Sequence, residues 1–269
     1  MTGKPLSIAA LAALWLTAPA GAVELQPHRA SYDLKLTGQS EEVEGGEGRI
    51  AIELARPSCE SYSLEYRFVA RFVQASEITV TDQRTNSTEA ADGRRFTFET
   101  RTLLDGNEQS EIRGSAVNEN GATVVTMEAP ASRRIELPAS IFPMQHTENL
   151  VAAALAGRSV VETPLFDGDD EAEKLLTSTA IITPVAKPSS GQSKDVRPDK
   201  GAALKDMRAW RVTESFYNKD SNEDGMPIFE TAFTLFENGV SDDLVMKFEG
   251  YSFEGGLASL DYLEAPACP

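Results

Sequence analysis

Two histidines, two cysteines and two acidic runs are the residues of this 269-residue chain whose chemistry comes first into question. Histidine is the usual general base near neutral pH. His28 stands at the edge of the first apolar run and His146 beside a helix-forming stretch. Neither has the company that catalysis needs. No Gly-x-Ser-x-Gly elbow occurs, and no His-x-x-x-His or His-Glu pair offers ligands for a metal. Both histidines are therefore expected to be structural, and no residue is assigned a catalytic role. Asp220, Asn222, Asp224 and Gly225 match the first half of an Asp-x-Asn-x-Asp-Gly calcium loop. The bidentate acid of such a loop falls at its twelfth position. That position is Thr231 here, with Glu230 one place early. A turn with Asx hydrogen bonds accounts for the same residues. Asp167, Asp169, Asp170, Glu171 and Glu173 read as a solvated loop. No metal and no cofactor is expected, and no phosphate-binding glycine loop is present.

Cys59 and Cys268 lie near opposite ends of the chain. An even count in an exported protein implies a disulfide, with two free thiols or an intermolecular bridge as the alternatives. Export is read from residues 1–22. Lys4 gives a positive start, Leu6 to Leu16 an apolar run, and Ala20-Gly21-Ala22 a small-residue cleavage site. The run is too short to span a bilayer, and no later stretch is long enough, so the mature chain is expected to be soluble and not membrane-spanning. The formal charge of −17 argues against nucleic acid and against anionic lipid headgroups as partners.

The elements that would position these residues are strands. Apolar side chains alternate at Tyr32, Leu34 and Leu36, at Ile50, Ile52 and Leu54, and at Tyr62, Leu64, Tyr66 and Phe68. Asp92-Gly93, Asp105-Gly106 and Asn120-Gly121 punctuate the following strands as hairpin turns. The clearest hairpin runs from Pro227 to Phe253 around Asn238-Gly239. A two-residue turn there makes Glu237 face Val240, Phe233 face Leu244, Thr231 face Met246 and Phe229 face Phe248, with Glu230 opposite Lys247 on the other face. Leu257 to Leu263 reads as the last strand. One helix is expected from Thr147 to Ala156, capped by Thr147 and stopped by Gly157. The segment at about 184–205, with its prolines, serines and glycines, reads as a mobile loop. The fold class is all-β: about fourteen antiparallel strands in a curled sheet with one helix, since so many strands do not lie flat. Residues 23–269 are expected to form a single domain. Tyr62, Tyr66, Phe68, Phe96, Phe98, Phe229 and Phe233 are its candidate core or the lining of an apolar groove.

Several short segments, in order along the chain, resemble the cell-envelope integrity EipB family of alphaproteobacterial periplasms. They are His28-Arg29-Ala30-x-Tyr32-x-Leu34, Ala91-Asp92-Gly93-Arg94-Arg95-Phe96 and Phe142-Pro143 with His146. Trp210, Met226-Pro227-x-Phe229-Glu230, Glu237-Asn238-Gly239-Val240 and the terminal cysteine complete the set. The resemblance implies a periplasmic β-spiral of about fourteen strands with one helix. It implies a disulfide from an early strand to the C-terminus. It also implies a non-enzymatic role in envelope integrity and stress resistance, and a periplasmic tetratricopeptide-repeat protein as partner. Two rival readings differ in class: a lipid or lipoprotein carrier, which needs an apolar groove, and a hydrolase of envelope polymers, which needs convergent acids or a His-paired nucleophile.

Overall fold

The structure, a computed structural model, describes residues 23–38, 43–169, 171–186, 203–219, 221, 225–248 and 250–268. The expected leader at 1–22 and most of the segment at 184–205 lie outside the described residues. So do Asp170, Asp220, Asn222 and Asp224 of the two acidic runs.

Eight strands form a first meander: β1 (His28–Gly38), β2 (Gly45–Ser58), β3 (Ser61–Val73), β4 (Ile78–Ala90), β5 (Arg95–Leu104), β6 (Asn107–Glu119), β7 (Ala122–Ala129) and β8 (Arg133–Pro138). The helix α1 (Pro143–Leu155) follows. Six more strands form a second meander: β9 (Val160–Pro164), β10 (Thr177–Pro184), β11 (Ala209–Tyr217), β12 (Phe229–Phe236), β13 (Ser241–Phe248) and β14 (Tyr251–Tyr262). All fourteen belong to one sheet of order β8-β7-β6-β5-β4-β3-β2-β1-β14-β13-β12-β11-β10-β9, and every ladder is antiparallel. The expected fold class is the observed one. The two meanders join at the centre of the sheet, where β1 pairs β14 from His28–Tyr262 to Gly38–Ser252.

The sheet curls without closing into a barrel. Its edges, β8 and β9, meet through one parallel bridge just beyond each strand, Ile141 with Leu165. Arg133, Arg134 and Pro138 on β8, and Glu162 and Pro164 on β9, are residues that discourage pairing with another chain. The sheet is curved around β1 and β2. Phe72 on β3 reaches Tyr251 and Phe253 on β14, with centroids 5.4 and 5.8 Å away, across two intervening strands. Two glycines on this inner face allow the approach. A Cβ on Gly48 would stand 3.0 Å from the Val69 carbonyl oxygen, and one on Gly255 would overlap the Asp33 carbonyl oxygen.

Helix α1 covers one end of the spiral. It starts earlier than its composition implies. Phe142 is the N-cap and Pro143 opens the first turn, where proline's missing N–H costs nothing. Thr147 is therefore inside the helix, its hydroxyl donating to the Pro143 carbonyl at 3.1 Å, and is not the cap. The cap comes from another element. Glu89 on β4 accepts the Met144 and Gln145 amides, both at 2.8 Å. At the far end Gly157 (φ 71°) donates to Ala154 and Arg158 donates to Ala153, the paired bonds of a Schellman stop. Leu150, Val151, Ala153 and Ala154 are buried against Trp210, Val212 and Leu235.

The β12–β13 hairpin departs from the expected register near its turn. Gly239 has positive φ (88°) but Asn238 does not, so Asn238-Gly239 is not a two-residue type I′ turn. The loop has three residues. The Phe236 amide donates to Val240 and the Gly239 amide to Phe236, while the Asn238 side chain takes the Val240 amide. Phe236, and not Glu237, therefore faces Val240. A bulge at Asp243 (φ 51°) restores the lost residue. Beyond it Thr231 faces Met246, Glu230 faces Lys247 and the Phe229 ring packs tilted against Phe248 at 4.9 Å, as expected. The strand after the turn is also shorter: the chain reverses at Gly250 (φ 86°), Phe248 pairs Tyr251, and β14 begins there, six residues ahead of Leu257.

Candidate functional site

The register places the two ends of the spiral in different hands. Tyr62 on β3, Glu89 on β4, Phe96 on β5 and Trp210 on β11 lie at the end covered by α1. Phe72 on β3, Phe216 on β11, Phe229 on β12, Phe248 on β13 and Tyr251 on β14 lie at the opposite end. These rings touch in sequence. Phe216 meets Phe229 at 5.5 Å, Phe229 meets Phe248 at 4.9 Å, and Phe248 stacks on Tyr251 at 4.9 Å. Tyr251 continues to Phe72 and Phe253, and Phe253 to Phe68 at 6.0 Å. Phe253 is fully buried; the other six rings are half-buried. Pairing explains the track: Phe216–Phe229 and Phe248–Tyr251 are direct cross-strand partners, so their rings share one face.

At Phe216 and Phe229 the track opens into a cavity of about 410 Å³. Such a volume is within the range of small-molecule sites, roughly 300–1,000 Å³. Its walls include Leu137, Leu165, Phe166, Leu175, Leu176 and Ile228, and Asp167, Asp169, Glu171 and Lys174 supply its charges. The connection from β9 to β10 forms one side. It is held in place by its backbone and by a ring: the Leu165 amide donates to Leu176, and Gly168 lies flat against Phe98, where a Cβ would be 2.9 Å from the ring. Phe166 packs edge-on against Phe98 at 5.5 Å.

The seven aromatics expected as core or groove divide between the two. Tyr62, Phe96 and Phe98 are core, each 2–3% exposed. Phe233 packs on the cluster of Trp210 and Leu235, and Tyr66 and Phe68 pack on the cluster around Tyr32 and Ile50. Phe229 alone of the seven lines the cavity. Phe72, Phe216, Phe248, Tyr251 and Phe253 were not among them. Phe72 was detectable, since it continues the period of two from Phe68 by two further steps; the ring-to-ring track depends on curl, which periodicity does not report.

The histidines are buried, each with one ring nitrogen engaged by a hydrogen-bond partner. Nδ1 of His28 lies 2.7 Å from the Gln26 carbonyl oxygen, and burial holds its imidazole below the usual histidine range. Nε2 of His146 lies 2.7 Å from Oε1 of Glu214, and the Ser178 hydroxyl donates to the same oxygen. Serine, carboxylate and histidine thus meet, but with the carboxylate in the middle. A nucleophilic triad needs the imidazole between the hydroxyl and the acid, so that it can take the hydroxyl proton. The cluster ties α1 to β10 and β11 instead. Glu214 and Ser178 carried no warning in the sequence, because they come from strands 36 residues apart. Among the described residues, no group of three or more His, Cys, Asp or Glu side chains could hold a metal ion. No helix of the described residues is long and apolar enough to cross a membrane.

Cys59 and Cys268 are bonded, with Cα atoms 5.5 Å apart. Cys59 sits in the β2–β3 turn and Cys268 on the tail beyond β14.

Comparison with known proteins adds a family. A family model described as EipB-like matches residues 19–264. The Cell envelope integrity protein EipB of Brucella abortus (strain 2308) is 35% identical over 249 residues, which cover 90% of this chain and 86% of that protein. A crystal structure titled Beta-barrel-like Protein of Domain of Unknown Function DUF1849, from Brucella abortus, has a TM-score of 0.82 and 34% identity. It covers 90% of this chain and 100% of that one.

Proposed function

Since this chain belongs to the EipB-like family, we propose that it maintains the cell envelope as a non-enzymatic protein of the periplasm, by holding a lipid-like ligand along the aromatic track of its sheet and in the cavity where that track ends. The name of the Brucella relative supports the envelope role. The leader-like residues 1–22 and the disulfide suit an exported, oxidised protein. The observation that carries the ligand is the continuous aromatic track ending in the cavity. Half-buried rings along this track, five of them at the end away from α1, leave apolar area that an acyl chain would cover.

A second reading has the same rings meet a protein partner, such as the tetratricopeptide-repeat protein that the family resemblance implies. The exposure of Met226 (60%), Ile228 (42%) and Ile78 (53%) at that end favours it, because these side chains stand outside the cavity wall or at its rim. Native mass spectrometry of protein purified from the periplasm separates the two. The ligand reading expects a bound lipid-sized mass that is lost in Phe229→Asp and Phe248→Asp. An apo mass throughout, with those variants still protecting cells from detergent, would overturn it.

A further inference from the structure

The cavity beside Phe216 and Phe229 has a chemical preference built into its wall. Along the β9–β10 connection, burial and charge alternate over a few residues. Leu165 and Phe166 are buried, Asp167 is exposed, Gly168 is pressed against Phe98, and Asp169 and Glu171 are exposed before Ala172 is buried again. The apolar members supply wall and support, so the acids are left at the mouth. Among the charged residues lining the cavity, three carboxylates (Asp167, Asp169 and Glu171) accompany one ammonium, Lys174, which lies 2.7 Å from Glu171. The next acid, Glu173, is engaged by Arg133 at 3.1 Å. The acids are also fixed. The Asp169 amide donates to Asp167 at 3.3 Å and the Glu171 amide to Asp169 at 2.6 Å, so both carboxylates are oriented by the turn itself. The lining therefore combines an apolar interior with a negative rim.

We propose that this cavity takes the apolar tail of a cationic amphiphile, with its positively charged headgroup at the carboxylates of Asp167, Asp169 and Glu171. This rests on the ligand-binding reading above and narrows it. An amine headgroup entering tail-first ends beside the carboxylates and is attracted. A carboxylate or phosphate headgroup ends in the same place and is repelled by the like charges of the rim. Fatty acids and anionic phospholipids are thus disfavoured by the same residues that favour an amine.

The test is calorimetric titration of the full mature protein with dodecylammonium and with dodecanoate, both below their micelle concentrations. Dodecylammonium is expected to bind at least tenfold more tightly. Asp167→Asn with Asp169→Asn preserves the acceptor oxygens of the turn and removes the charge; it is expected to weaken dodecylammonium at least fivefold and to narrow the gap. Lys174→Gln is expected to widen it. Phe229→Asp should abolish binding of either probe. Dodecanoate binding as tightly as dodecylammonium, or a preference unchanged in the Asp→Asn variant, overturns the charge rule while leaving an apolar-ligand site in place. Failure of both probes to bind overturns the site itself.

Discussion

Glu89 is where opposed forces on one residue can be ranked. Its carboxyl sits at the N-terminus of α1 and accepts two amides, and both the bonds and the helix dipole favour the anion. Burial opposes them and prevails: Glu89 is 2% exposed, and desolvation pushes its carboxyl up to about 7. A pKa raised in the folded state means that the native protein holds this proton more tightly than the unfolded chain. The associated stability is complete below the ordinary value near 4.5 and is lost as pH rises through about 7. The shift corresponds to about 2–4 kcal/mol. In urea titrations, the stability of the native protein relative to Glu89→Gln should fall by about that amount between pH 5 and pH 8; a constant difference would refute it. Gly255 offers a second test. Its added Cβ would meet backbone as well as the Leu34 side chain, and a carbonyl cannot rotate away as a side chain can. Gly255→Ala should lower stability by about 1–3 kcal/mol, read from the urea midpoint.

At the scale of elements, the helix and its neighbours show what sequence carries and what it omits. Alanines, Pro143 and Gly157 mark α1 and its stop by local chemistry, and these were legible. The cap was not, because Glu89 lies 55 residues before Met144 and is brought there by the strand order. Thr147→Ala should therefore change stability by less than about 0.5 kcal/mol, whereas Glu89→Ala at pH 7, which removes both acceptors from buried amides, should cost about 1–3 kcal/mol. Denaturation of the two variants side by side decides between cap and helix interior. The hairpins follow the same division. Asp105-Gly106 and Asn120-Gly121 have positive φ at both residues, as their sequences imply, and each closes a two-residue turn. Asn238-Gly239 has the same letters but closes a three-residue loop, because a bulge at Asp243 elsewhere in the ladder corrects the count. Alternation and turn chemistry set faces and strand number. Curl, bulges and the cavity arise from contacts between distant strands, and for that reason the aromatic track could be only partly anticipated.

For the whole molecule, the disulfide has a narrower mechanical task than its sequence span implies. β14 is already held on both sides, by β1 and by β13. The bond fastens the tail after Tyr262 to the β2–β3 turn, and the Leu263 amide separately donates to Pro27, just before β1. The bridged cysteines are 209 residues apart, for which loss of unfolded-chain entropy amounts to on the order of 5 kcal/mol, less if the denatured state is compact. Cys59→Ser with Cys268→Ser should thus melt lower while keeping its sheet, with hydrogen exchange quickened in the tail more than in β14. Unchanged melting, or loss of the β1–β14 ladder, would contradict that assignment.

The β1–β14 ladder also sets a timetable. The first meander is made of neighbours in sequence and can zip as soon as it is made, but β1 must wait for a partner that arrives more than two hundred residues later. Until then its outer side is an unpaired row of amides and carbonyls, with Tyr32 and Leu34 on one face awaiting Leu257 and Gly255. Pairing across so long a separation is slow, and a waiting edge is prone to join the wrong chain. The middle of the finished sheet is thus the last seam to be sewn, and the interval before it closes is when the nascent chain most needs shelter from its own copies.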